Sequence, residues 1–511
     1  MIPLARLLSA VRPRARLPQT IAAVDLGSNS FHLIVARVIN GQPHVLDRLQ
    51  EMVRLAAGLD ERHRLDKATT QRALEALERF GERLRGLPPE AVRAVGTHTL
   101  RRARNGARFL AAAQKALGHS IEIISGQEEA RLIYQGVAQN LPDTKQQRLV
   151  IDVGGGSTEL ILGVGLRPEL VESLSVGCIS LSRSHFPNGK VNATAMRDAV
   201  TAARLGFKPV EAQFRARGWE QAYGSSGSIR AIAAVVQGQK WVEPNEGITA
   251  VALERLRDTL IARGDVRALE FPGLSPERAP VFAGGVAALL AAFQALGLKN
   301  LQIADSALRE GLLYDLYGRL HQDDVRSHTV QALSERYHVD AAQAQRVART
   351  VRECFEQVAG DWKLDDESAR ALSWAAQLHE LGLAVSHSKY HQHGAYLLAH
   401  SDMPGFAHEE QQLLGVLVRA HRRRFPIEVF EELPRRRAKR TRRMAVLLRL
   451  AVLLNRGRTD TALPKLRMRA EKYQLAIEFP NGWLARNRLT DADLAHEAKC
   501  LRDAGVRLSY E

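Results

Sequence analysis

The strongest constraint on the fold is a strand–turn–strand pattern that occurs twice. Residues 20–37 (TIAAVDLGSNSFHLIVAR) and 148–165 (RLVIDVGGGSTELILGVG) each read as two strands around a Gly-containing turn. Setting Asp25 on Asp152 aligns them without a gap: Gly27 falls on Gly154, Ser30 on Ser157, Leu33 on Leu160 and Ile34 on Ile161. The second copy starts about one domain length after the first. Two like hairpins so spaced predict a duplicated α/β fold with a cleft between its halves.

The rest of the chain fits that plan. At 511 residues it is long enough for two to four domains. Residues 91–96, 120–125 and 301–304 read as further strands, and 69–84, 128–137 and 281–296 carry helical periodicity. Alternation of strands and helices up to about residue 320 argues α/β. From 325 to about 457 the periods are helical, and seven of the 17 histidines fall between His379 and His421. The last stretch reads as α+β, with a strand at 474–479 and a helix at 491–504. The expected borders are a mobile extension at 1–19, α/β domains at 20–133 and 134–316, a helical domain at 317–460 and a small domain at 461–511.

Both turns suit phosphate. In the first, Gly27 exposes backbone N–H groups while Ser28, Asn29 and Ser30 add side-chain donors. In the second, Gly154, Gly155 and Gly156 let a phosphate approach the backbone closely, and Ser157 and Glu159 share one strand face. Asp25 and Asp152 end the incoming strands, where a carboxylate holds a divalent ion directly or through its waters. Between the hairpins, IEIISGQEEARLIYQG predicts a strand ending at Ser125-Gly126 and a helix opening with Glu128-Glu129. YGSSGSI (223–229), followed by Arg230, is a third small-residue turn.

The formal net charge is +16, and eleven Lys or Arg residues lie between Arg419 and Arg443. Such a balance favours a polyanionic ligand or an anionic membrane surface. Aromatic content is 5%, without regular spacing, so base stacking on nucleic acid is not expected. Cys178, Cys354 and Cys500 are scattered and odd in number; no disulfide framework follows, and a reducing, cytoplasmic setting is expected. The most apolar run, 283–298, is short and interrupted by Gln294, which predicts a packed helix rather than a membrane span.

The motifs AVDLGSNSF, VGTHTLR, IISGQEEARLIY, IDVGGGSTEL, GSSGSIRA and ALREGLLYD, in this order, resemble the exopolyphosphatase and guanosine pentaphosphate phosphatase (Ppx/GppA) family of the actin-like ATPase superfamily. The resemblance implies duplicated actin-like (ribonuclease H-like) domains with an interdomain cleft, then an all-α HD-like domain and a small α+β domain. It implies Glu129 as the water-activating carboxylate and Glu159 as the second catalytic carboxylate. Asp152, Asp25 and Glu159 would hold Mg2+, with Mn2+ as an alternative and a monovalent cation as a further option. Ser28, Asn29, Gly154, Gly155, Gly156, Ser157, Ser228 and Arg101 would contact phosphate. His32 stands where the repeat has Glu159, so only the second hairpin would supply a catalytic carboxylate. In the helical part His379 is followed by Glu380 instead of Asp, which departs from the HD metal motif.

Within the family, His98 in VGTHTLR, the triple glycine and RAHRRR (419–424) lean towards an exopolyphosphatase that releases orthophosphate from inorganic polyphosphate. Arg419, Arg422, Arg423 and Arg424 would line a channel for the chain and make hydrolysis processive. The alternative is a guanosine pentaphosphate 5′-phosphatase. A homodimer is expected by resemblance, and peripheral membrane association is compatible with the charge. A sugar kinase or ATPase of the superfamily would need an acceptor and nucleotide pocket that the motifs do not supply.

Overall fold

The computed structural model describes residues 18–39, 42–142, 145–243, 246–268, 270–321, 324–431, 433, 435–459, 462–503 and 505–511. Most of the proposed N-terminal extension lies outside them. The chain divides into two units, Met1–Asp324 and Val325–Glu511.

In the first unit both hairpins form as the sequence predicts, and each seeds a sheet. β1 (Thr20–Leu26) and β2 (Phe31–Ile39) run antiparallel and are followed by β3 (Gln42–Glu51), β4 (Val92–Gly96) and β5 (Ile121–Ile123). Their order is β3-β2-β1-β4-β5, with β1, β4 and β5 parallel. The second copy is β6 (Gln147–Val153) and β7 (Thr158–Val164), followed by β8 (Arg167–Leu174), β9 (Gln221–Ser225), β10 (Ile248–Thr249) and β11 (Asn300–Ile303). Here the order is β10-β11-β9-β6-β7-β8. The registers match: Asp25 pairs with His32 as Asp152 pairs with Glu159. β1 and β6 are central and nearly continuously buried, as strands covered on both faces must be. The third strand of each meander, β3 and β8, is more polar and more exposed.

Two helices tie the halves together. Gly126–Ala138 is capped by Ser125, whose side chain accepts from the Glu128 amide at 3.1 Å. Leu308–Leu320 starts with Glu310 accepting from the Ala307 amide at 2.9 Å. Their apolar faces share one core with Ile34 and Val95 of the first sheet and Val150 and Ile161 of the second. The sequence border at 133/134 therefore falls inside a helix that both sheets use. The border at 316/317 likewise falls inside Leu308–Leu320, and the chain divides instead after Asp324. Ala279–Leu296, the most apolar helix, is a core helix of this unit, buried along most of its length.

The second unit is mainly helical, with Ala341–Trp362, Asp366–Leu378, His408–Ala420 and Arg435–Leu454 as its longer helices. β12 (Arg467–Glu471), β13 (Gln474–Glu478) and β14 (Arg507–Tyr510) form a three-stranded sheet. Leu475, Ile477 and Leu501 join the same core as Val347, Leu372, Leu417 and Leu447. Residues 461–511 thus do not form a core of their own.

Candidate active site

The two turns meet. A Cβ added at Gly155 would lie 3.0 Å from the Ser28 Cβ, so the glycine permits the contact. Between the turns is a cavity of about 130 Å³, lined by Asp25, Ser28, Asn29 and Ser30 from one hairpin and by Asp152, Gly154, Gly155 and Ser157 from the other. Glu129 and Ser228 line it as well. It is roomy enough for a phosphoryl group.

The walls favour an anion. The helices beginning at Cys178, Ser226 and Leu308 all start at this cavity and turn positive dipole ends towards it, although the first amides of the Cys178 helix are bonded to the Gly154 and Gly155 carbonyls. Ser226 holds φ at 87°, a strained left-handed value, at the cavity wall. Arg230, Arg278 and Arg309 complete the wall. They come from three distant segments, and only Arg230 adjoins a turn that the sequence singles out.

Opposite them the carboxylates converge. Burial raises Asp25 well above the usual range; Glu129, Asp152 and Glu310 add to the effect and Arg309 opposes it. Burial lifts Asp152 to about 6, against a hydrogen bond from Ser225 and with Glu129 adding to it. Glu159 is raised by burial, then by Glu129 and Asp152. Asp25 Oδ1 is buried and has no hydrogen-bond partner. Mutually repelling, desolvated carboxyls with an orphan oxygen fit a divalent cation. Among the described residues no three His, Cys, Asp or Glu side chains come close enough to chelate one. An ion here would keep several waters, as magnesium prefers.

Three assigned residues sit differently from expectation. Arg101 does not line the cavity: its Nη1 donates to Glu129 Oε2 at 3.0 Å and to the Ile124 carbonyl at 2.8 Å. It holds Glu129 in place and opposes the effect of burial on it. Gly156 packs under His98, whose Nδ1 would lie 2.3 Å from an added Cβ. Glu159 is 1% exposed, behind the wall, and accepts from Ser173 Oγ at 2.9 Å.

The basic run belongs to the other unit, and much of it is engaged there. Arg422 stacks on Tyr390 at 4.4 Å, Arg440 pairs with Asp365, Arg437 with Glu409, and Arg443 donates to the Trp362 carbonyl. Arg423 and Arg424 are exposed and Arg419 is half-buried. In the same unit His379 and His421 are buried, each donating Nδ1–H to a backbone carbonyl, and Glu380 is paired with Arg458.

Residues 34–320 match the Ppx/GppA phosphatase family, and 325–498 match Ppx/GppA phosphatase, domain III. A guanosine-5′-triphosphate,3′-diphosphate pyrophosphatase of Aeromonas hydrophila is 38% identical over 479 residues, 94% of this chain and 96% of that one. The enzyme of that name from Vibrio cholerae is 38% identical over 494 residues, 96% and 98% of the two chains. Among solved structures, an exopolyphosphatase-like protein aligns with TM-score 0.54 at 25% identity, over 59% of this chain and 98% of its own. An exopolyphosphatase from Cytophaga hutchinsonii aligns with TM-score 0.53 at 24% identity, over 60% and 98%, and supports the fold alone. The near full-length relatives overturn the exopolyphosphatase expectation. His98, the triple glycine and the RAHRRR run do not outweigh similarity spread over the whole chain.

Proposed function

The chain belongs to the Ppx/GppA phosphatase family, a family of phosphoanhydride hydrolases, and within it we propose that the protein is a guanosine pentaphosphate 5′-phosphatase. It would remove the terminal phosphate of the 5′-triphosphate and leave the 3′-diphosphate. The observation that carries this reading is the 38% identity over nearly the whole of both chains to proteins named for that activity. The cavity is compatible with it: about 130 Å³ between the two turns admits a terminal phosphoryl group.

In this reading the phosphoryl group lies between the hairpin turns, against Ser28, Asn29, Gly154 and Gly155. Arg230, Arg278, Arg309 and the three helix N-termini balance its charge. Asp25 and Asp152 would hold magnesium through waters, with Glu159 supporting from behind; the ion would neutralise phosphate charge. Glu129, with Oε2 held by Arg101, has Oε1 left for the attacking water. Phosphoryl transfer passes through a loose transition state, so orienting that water matters more than basicity. The helical unit is read as an HD-like scaffold.

The test is orthophosphate release from guanosine pentaphosphate and from polyphosphate, each with and without magnesium. Preferred, magnesium-dependent turnover of the nucleotide is expected. Turnover confined to polyphosphate would overturn the reading.

A further inference from the structure

The hairpins are built alike, but the residue behind each turn hydroxyl differs. In the second it is Glu159, which accepts from Ser173. In the first hairpin the corresponding residue is His32, paired in register with Asp25 as Glu159 is with Asp152.

Arg309 Nη1 lies 3.1 Å from His32 Nδ1. A guanidinium only donates, so Nδ1 must be the unprotonated nitrogen. The single ring proton is therefore on Nε2, 2.8 Å from Ser30 Oγ. Ser30 accepts there, and its own proton must point elsewhere. It is not given to Asp25 Oδ1, which has no partner. Ser30 lines the cavity. Arg309 is itself held from behind: its Nε donates to Glu310 Oε1 at 3.0 Å, and Arg48 binds the same carboxylate oxygen at 3.0 Å.

We propose that Arg309 and His32 are positioning residues that fix the imidazole tautomer and so lock Ser30 as a hydrogen-bond donor to a phosphoryl oxygen in the cavity. This rests on the reading of the cavity as a phosphoryl site.

The experiment is a double-mutant cycle on Ser30→Ala and His32→Leu, read as orthophosphate affinity by calorimetry and as KM and kcat for guanosine pentaphosphate. Loss of one hydrogen bond to a charged oxygen predicts roughly tenfold to hundredfold weaker binding for each single variant. The double variant should be no worse than either. His32→Gln, whose amide N–H can stand in for Nε2–H, should keep affinity within a few fold. Additive losses, or His32→Gln as damaging as His32→Leu, would overturn the proposal. If His32→Leu does not fold, His32→Phe, which keeps the bulk of the ring without its N–H, replaces it in the cycle. A wild-type protein that binds phosphate but does not turn over the nucleotide sinks the substrate assignment, while the affinity cycle still decides this one. A wild type that binds no phosphate overturns both.

Discussion

Alanine at Gly311 should cripple the protein more than its size suggests. Gly311 and Gly136 sit where Leu308–Leu320 crosses Gly126–Ala138. A Cβ at 311 would lie 1.8 Å from the Leu132 carbonyl oxygen; one at 136 would lie 2.1 Å from that of Ala307. In an open helix the change would help, by about 1 kcal/mol of propensity. Here the obstacle is backbone, with no rotamer to swing aside, and ordinary separation of ~3.5 Å needs the helices to part by roughly 1.5 Å. Overpacking of this kind costs up to about 3 kcal/mol, so the clash wins by about 2 kcal/mol. That is a fall of several degrees in the melting point of the first unit, roughly 2–4 °C per kcal/mol for units of this order.

The same displacement has a chemical consequence. One helix carries Glu129 and the other carries Arg309, so parting them moves the carboxylate proposed to orient the water relative to the arginines across the cavity. A 1 Å error in such geometry can lower turnover by about a hundredfold. Differential scanning calorimetry and phosphate release, run on Gly311→Ala, measure both effects. Gly360→Ala is the control: this helical glycine has nothing within 4 Å of an added Cβ, and it should stabilise by roughly 0.5–1 kcal/mol. Unchanged melting and turnover in Gly311→Ala would refute the crossing argument.

Other outcomes follow from the same geometry. Glu129→Gln should lower kcat by roughly 10²–10⁴-fold with little change in substrate binding, and a smaller loss would remove its assigned role. Burial raises Glu129 and Arg101 opposes it, so Arg101→Met should push the acid limb of the pH–rate profile to higher pH; a limb that stays put or moves down counts against the pairing. Asp315 is buried against Arg93 at 2.5 Å, Arg131 at 2.5 Å and Arg319 at 2.8 Å; these cations outweigh burial and depress it. Asp315→Asn should destabilise the first unit by about 3–5 kcal/mol, and the wild-type contribution should be present above the ordinary carboxylate range and fade as pH falls below it, as denaturant titrations would reveal. In the helical unit burial holds His379 and His391 at about 4 and His421 well below the ordinary 6.5. The unfolded chain therefore takes up protons first, and that unit's denaturation midpoint should drop between pH 6.5 and 4; a flat midpoint would contradict this.

The hairpins were legible because their determinants are local. A buried strand, a Gly turn and a second strand occupy adjacent residues, and the terminal Asp can be counted into register. The helix at Glu129 was legible for the same reason: Ser125 and the two glutamates mark a helix start. β3 and β8 lie more exposed beside their hairpins and lack the apolar pattern that identifies a strand. The phosphate wall was hidden more deeply. Arg278 reaches the cavity from a segment with no motif, and Arg309 lies in ALREGLLYD, a motif that gives no local sign that its arginine faces the two turns. His32 looked like divergence from Glu159, although its meaning lies in Arg309, almost the whole first unit away in sequence. Part of the basic run is neutralised locally. Counting charges between 419 and 443 cannot reveal that Arg440 is matched by Asp365 or that Arg437 is matched by Glu409.

The substrate itself shows a different limit. Under the proposed reading the deep site meets only a terminal phosphoryl group, its ion and the attacking water. Polyphosphate and guanosine pentaphosphate present that same group and differ only beyond it. The residues that bind and cleave, from Asp25 to Arg309, are thus the ones least able to distinguish the two substrates. Motifs built from those residues report the reaction and are nearly silent on what is attached to the leaving phosphate. Similarity over the full length is sensitive to the surfaces outside the cavity, where the rest of the substrate must be recognised. That is the physical reason why His98 and a third glycine, both beside the phosphate turn, pointed to the wrong substrate while the reaction class was read correctly.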